Sequence, residues 1–73
     1  MATKATTRQR FGFNLKAARV AIVGLSQEKL AHQIGVTVNT VARWERGERE
    51  PDTLAQVEVV ARAVGKTVGE LLE

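Results

Sequence analysis

Few side chains in this sequence could carry chemistry, and the most suggestive pair is an amide and a guanidinium. Asn39 and Arg43 lie four positions apart, about one helical turn. An Asn amide can pair in bidentate fashion with the edge of adenine and an Arg guanidinium with guanine, while Val38 and Ala42 suit a thymine methyl. A helix that merely displays solvated residues would also carry an Asn and an Arg. It would have less use for Val38 and Ala42, which are apolar on a face that needs no core. Catalytic parts are scarce. The 73 residues include one His, one Asp, no Cys and no Tyr. Without Cys there can be no disulfide, thiolate zinc site or thiol nucleophile. His32 has no second ligand at metal spacing and reads as a surface residue. We therefore expect no enzyme and no cofactor.

The charge has a layout as well as a sign. The formal net charge is +3. Residues 1–46 hold eight basic groups and only Glu28 and Glu45 as acids, whereas residues 47–73 hold three basic and six acidic groups. A positive field confined to one part of a small domain suits a polyanionic partner, although accidental clustering on a solvated surface gives the same arithmetic. No apolar run approaches the ~18 residues of a membrane span. The N-terminus is polar where a secretory signal would be apolar, and the lack of Cys fits a reducing compartment, so a cytoplasmic protein is expected.

Those residues need elements to position them, and the apolar periodicity is helical almost throughout. Phe11, Leu15, Ala18 and Ile22 recur on one helical face, with Thr6 and Gln9 as a capping box and Gly24 as the stop. This predicts a first helix from Thr7 to Val23. Ser26 caps a second, Gln27 to Ile34, with Leu30, Ala31 and Ile34 turned inward and Gly35 ending it. Thr37 caps a third, Val38 to Arg46, with Val41 and Trp44 inside and Gly47 after it. A charged surface loop holding Pro51, the only proline, follows from Glu48 to Asp52. Thr53 and Gln56 open a fourth helix to Val64, with Leu54, Val57, Val60, Ala61 and Val64 on one face. Thr67 and Glu70 open a short fifth with Val68, Leu71 and Leu72. The expected fold is all-α, five helices and no strand, with a basic arm at 1–10 running into the domain at 11–73.

Two short helices joined by a Gly-containing turn are a helix-turn-helix arrangement. The segment LSQEKLAHQIGVTVNTVARWERG resembles that of the lambda-repressor-like regulators, the Cro/XRE family. Leu25, Ser26, Gln27, Leu30, Ala31, Gly35, Val36, Val41, Glu45 and Gly47 fall at the family's positions, and the likeness runs from about Phe11 to Leu72. Ala31 must be small where the two helices cross, and Val36 and Val41 wedge them at a fixed angle. The resemblance implies that the third helix enters a major groove of double-stranded DNA while the second lies across phosphates.

By that resemblance Thr37, Val38, Asn39, Ala42 and Arg43 contact bases. Gln27, Arg46 and Arg49, with Lys4, Arg8 and Arg10 of the arm, are the phosphate candidates. Arg19 and Glu45 resemble a family ion pair, although four residues separate Arg19 from Gly24 where the family usually has three. Trp44 is expected in the core. The resemblance also implies a homodimer on a palindromic operator, with Val59, Leu71 and Leu72 as the contact. Phe13, Ala17 and Val20 then form an apolar stripe on the outer side of the first helix, a second contact or a surface for a partner protein. The implied function is sequence-specific transcriptional regulation, as a repressor that occupies its operator; the chain is short for an additional effector-sensing domain. The alternative is an antitoxin-like protein-interaction module on the same fold.

Overall fold

Every helix among the described residues begins at a hydroxyl. In the computed structural model, which describes residues 5–73, the side chains of Thr6, Ser26, Thr37, Thr53 and Thr67 each accept the backbone N–H three residues on. These caps satisfy amides that have no partner within the helix. They open α1 (Thr7–Val20), α2 (Gln27–Ile34), α3 (Val38–Glu45), α4 (Leu54–Ala63) and α5 (Val68–Leu72). Thr6 with Gln9 and Thr67 with Glu70 form complete reciprocal capping boxes, whereas at Thr53 only the hydroxyl half forms. No strand occurs among the described residues, and no helix is long and apolar enough to cross a membrane.

The helices pack around one apolar cluster. Phe11 and Leu15 of α1, Leu30 and Ala31 of α2, Val41 and Trp44 of α3, Val57, Val60 and Ala61 of α4, and Leu71 of α5 are all buried. Full burial of each large side chain contributes roughly 1.5–3 kcal/mol. Phe11 and Trp44 meet edge to face, ring centroids 6.1 Å apart at 81°, which fixes the approach of α1 to α3. The tightest point of that approach is Gly12, buried in mid-helix. A Cβ built there would lie 2.2 Å from the carbonyl oxygen of Trp44, so no larger residue fits without parting the two helices. α3 is thus braced by α2 on one side and α1 on the other, and α5 closes the far side of α1.

Several expectations change in this frame; α4, for one, stops at Ala63 with Val64 as its cap. α1 stops at Val20 rather than Val23, because the chain turns: Ile22 N–H bonds the Arg19 carbonyl and Leu25 N–H bonds that of Ile22. Ile22 therefore leaves the inner stripe and Val23 is fully exposed. α3 ends at Glu45, with Arg46 as its cap rather than its last residue. Leu54 is 65% exposed. At ~100° per residue it lies about 70° off the centre of the Val57, Val60, Ala61 and Val64 stripe, in a first turn with nothing beyond it to pack against. Finally, Leu71 is not available for a dimer contact. It is 1% exposed, since α5 must cover α1, and the Asn14 amide secures it by donating to the Leu71 carbonyl at 2.9 Å. Leu72 is half-buried, leaving Val59 as the exposed member of the expected contact.

Candidate nucleic-acid interface

α2 and α3 are joined by a turn of only three residues, and Gly35 makes it possible. Its φ of 76° lies in the left-handed region that a Cβ disfavours. Val36 N–H bonds back to the Ala31 carbonyl at 3.0 Å, so the turn is hydrogen-bonded to the helix it leaves. Thr37 then restarts the chain, its hydroxyl accepting from Thr40 N–H at 3.2 Å and lying 2.9 Å from the Thr40 hydroxyl.

With Val41 and Trp44 turned into the core, the opposite side of α3 carries Val38, Asn39 and Arg43, all exposed, and a half-buried Ala42. Val38 is 43% exposed although nothing in the fold requires an apolar group there. Asn39 and Arg43 share a cleft of about 350 Å³ with Thr40, Arg49, Glu50, Asp52 and Gln56, floored by Val36 and Trp44. The structure thus places Val38, Asn39, Ala42 and Arg43 on the side of α3 away from Val41 and Trp44, with Thr37 exposed at its N-cap and Arg49 lining the same cleft as Asn39 and Arg43.

The bracing is electrostatic as well as apolar. Arg19 grips Glu45 through both arms of its guanidinium, Nε to Oε2 at 2.6 Å and Nη2 to Oε1 at 3.0 Å, with side chains 12% and 3% exposed. Its third contact, Nη1 to the Leu25 carbonyl at 3.0 Å, is made possible by the turn after Val20. The additional residue before Gly24 is therefore absorbed in the turn, not in α1, and the pair forms. Gln27 joins it, donating Nε2 to Glu45 Oε1 at 2.8 Å. One carboxylate thus ties together the ends of α1, α2 and α3, and the half-buried Gln27 amide is oriented by it at the start of α2.

The remaining basic residues are distributed unevenly. Arg49 is exposed beside the cleft. Arg46 is exposed but held by Glu48, Nε to Oε2 at 2.7 Å and Nη2 to Oε1 at 3.3 Å. The hydrogen bond from Arg46 draws the Glu48 carboxyl below its ordinary range, so that acid stays ionised. Arg8 reaches the same turn, donating Nη1 to the Glu48 carbonyl at 3.4 Å. Arg10 folds back instead of extending, onto the carbonyls of Ala5 and Leu72 and the Thr7 hydroxyl. Of the stretch 1–10, residues 7–10 belong to α1 and Lys4 lies outside the described residues. Reasoning from sequence missed Gly12 and Glu48. A glycine in a helix interior, which costs about 1 kcal/mol against Ala, was the available signal for the first.

A family model described as helix-turn-helix matches residues 15–71, through all five elements. The chain belongs to the Cro/XRE-type helix-turn-helix family. Among solved structures, it resembles the hydroxypropylphosphonic acid epoxidase from S. wedmorenis, at 34% identity and a TM-score of 0.85, over 96% of this chain and 36% of that one. A cobalt(II) form of that epoxidase with Tris buffer matches at 35% identity and a TM-score of 0.85, over 94% and 38% of the two chains. The clp gene regulator ClgR from C. glutamicum matches at 25% identity and a TM-score of 0.85, over 99% of this chain and 90% of that one. This helix-turn-helix chain therefore spans little more than a third of the epoxidase chains and nearly the whole length of the regulator. No curated protein matches it in sequence. Among the described residues, no group of three or more His, Cys, Asp or Glu could hold a metal ion.

Proposed function

We propose that this protein is a sequence-specific double-stranded DNA-binding transcriptional regulator that represses by occupying its operator. The observation that carries the reading is the outer side of α3, where Val38, Asn39 and Arg43 are exposed on a helix braced from two sides. Asn39 and Arg43 read base edges in the major groove, and Val38 and Ala42 meet thymine methyls, with Thr37 at the entry of the helix. Arg49, Arg46 and Arg8 hold phosphates, and the Gln27 amide presents the start of α2 to the backbone. Membership of the helix-turn-helix family and the near full-length likeness to ClgR, named as a gene regulator, support it. The role is binding rather than catalysis, in the cytoplasm. The protein acts as a homodimer on a palindrome, with Val59 and Leu72 toward the second copy.

A second reading has one observation in its favour. Phe13 and Val20 are 74% and 63% exposed on one side of α1, an apolar stripe suited to a protein partner, as in an antitoxin-like module. Selection of bound duplexes from a random pool separates the two. The regulator reading expects a defined half-site, repeated with two-fold symmetry one DNA turn apart, ~34 Å. A selected pool that binds no more tightly than random duplex would refute it.

A further inference from the structure

Glu48 sits where no phosphate-binding surface would want a carboxylate, one residue past the Gly47 turn and against the guanidinium of Arg46. The contact is two-pronged, and both side chains are half-exposed, at 54% and 53%, so neither is confined there by packing. The same residue's carbonyl receives Arg8 from the start of α1, which the turn reaches because Gly47 packs on Gln9. Glu48 thus engages two guanidiniums at the C-terminal end of α3, Arg46 through its carboxylate and Arg8 of α1 through its backbone carbonyl. Arg46 lies three residues beyond Arg43, ~4.5 Å along the axis, and by helical spacing falls between Asn39 and Ala42 on the side opposite Val41 and Trp44.

We infer that Glu48 is an intramolecular competitor for DNA phosphate, holding Arg46 as a neutral pair that must open before its charge is available to a duplex. This rests on the DNA-binding reading above and specifies how its affinity is set. The physical basis is charge. A guanidinium paired to a carboxylate offers a phosphate no net charge, and the salt-sensitive part of binding comes from net cations that displace counterions. An exposed pair is weak, so its competition subtracts a modest and equal amount from binding to operator and to random duplex. Glu48 therefore lowers affinity for every duplex alike without touching a base.

The test compares wild type, Glu48→Gln, Arg46→Ala and the double variant on the selected operator and on random duplex, by fluorescence anisotropy across salt. Glu48→Gln should bind both duplexes about 2–5-fold more tightly per subunit, the fold-change that matches release of one exposed pair. Its affinity should fall about 3-fold more per subunit between 50 and 200 mM salt, as one additional phosphate contact requires. The ranking of bases should stay the same, and the gain should vanish in the Arg46→Ala background. Unchanged binding in Glu48→Gln overturns the inference. Weaker binding overturns it too, since Glu48 would then be orienting Arg46 toward the phosphate. A gain that survives Arg46→Ala overturns it in favour of simple repulsion between Glu48 and DNA. If wild type itself shows no preference for any duplex, the functional reading fails first, a result distinct from all of these.

Discussion

Replacing Gly12 by Ala adds a single methyl group, yet the structure assigns it a large cost. The new Cβ would lie 2.2 Å from the Trp44 carbonyl oxygen and 3.0 Å from that of Glu45. Both are backbone atoms at the end of α3, so no side-chain rotation relieves the contact, and α1 and α3 would have to part by about 1 Å. Overpacking of this kind costs typically ~1–3 kcal/mol, and the rigidity of the obstacle argues for the upper end. Against it stands the helix-propensity gain of about 1 kcal/mol for Gly to Ala. The net is a loss of about 2 kcal/mol, which in a domain this small lowers Tm by roughly 8–16 °C. Gly69→Ala supplies the control. Its added Cβ would meet only the Thr67 hydroxyl, at 3.9 Å, within α5, so a gain of about 0.4–1 kcal/mol is expected. Thermal melts of the three proteins by far-UV circular dichroism make the comparison. A Gly12→Ala protein as stable as wild type would refute the close approach of α1 and α3 on which the placement of α3 depends.

Other outcomes follow from the same geometry. Arg19→Ala strips a buried carboxylate of its cation and should cost about 3–5 kcal/mol by denaturant titration, a large share of any domain this size; a cost below 1 kcal/mol would mean the pair does not brace α3. The Glu70 carboxyl is held below its ordinary range chiefly by the Thr67 backbone N–H, so its contribution is complete above the unfolded value and lost as pH falls through the lower folded one. Protection of the Thr67 amide, taken relative to its intrinsic exchange rate at each pH, should therefore fall on that acid side, and Glu70→Gln should remove that loss. Val59→Glu should abolish self-association in sedimentation while Phe13→Glu leaves it intact; the opposite pattern would move the contact to α1.

Much of this architecture is legible in local chemistry. The limits of α2 follow from Ser26 and Gly35 alone, because a capping hydroxyl and a left-handed glycine act on their nearest neighbours. The same holds for Thr67 and Glu70 at α5. Local signals fail where tertiary demands take over. Ile22 continues the period of α1, yet the chain turns before it so that Arg19 reaches Leu25. Leu71 reads as an apolar residue in need of a partner, and only the docking of α5 on α1 reveals that the partner is internal. On the proposed reading face, Asn39 and Arg43 stand out because their spacing is helical and they flank Val38 and Ala42, apolar residues on a side that needs no core. Glu48 does not, because its approach to Arg46 needs the chain to leave the helix at Gly47, which residue spacing along α3 cannot express.

The central claim is that Asn39 and Arg43 read bases from the outer face of α3. It is tested most directly by measuring affinities of wild type, Asn39→Ala and Arg43→Ala for the selected operator and for every single base-pair variant of it. Each substitution should cost about 1–3 kcal/mol and flatten the preference at one base position per half-site, a different position for each residue. Arg49→Ala, by contrast, should weaken every duplex alike. Unchanged base preferences in both α3 variants would contradict the account, whatever happened to their overall affinity.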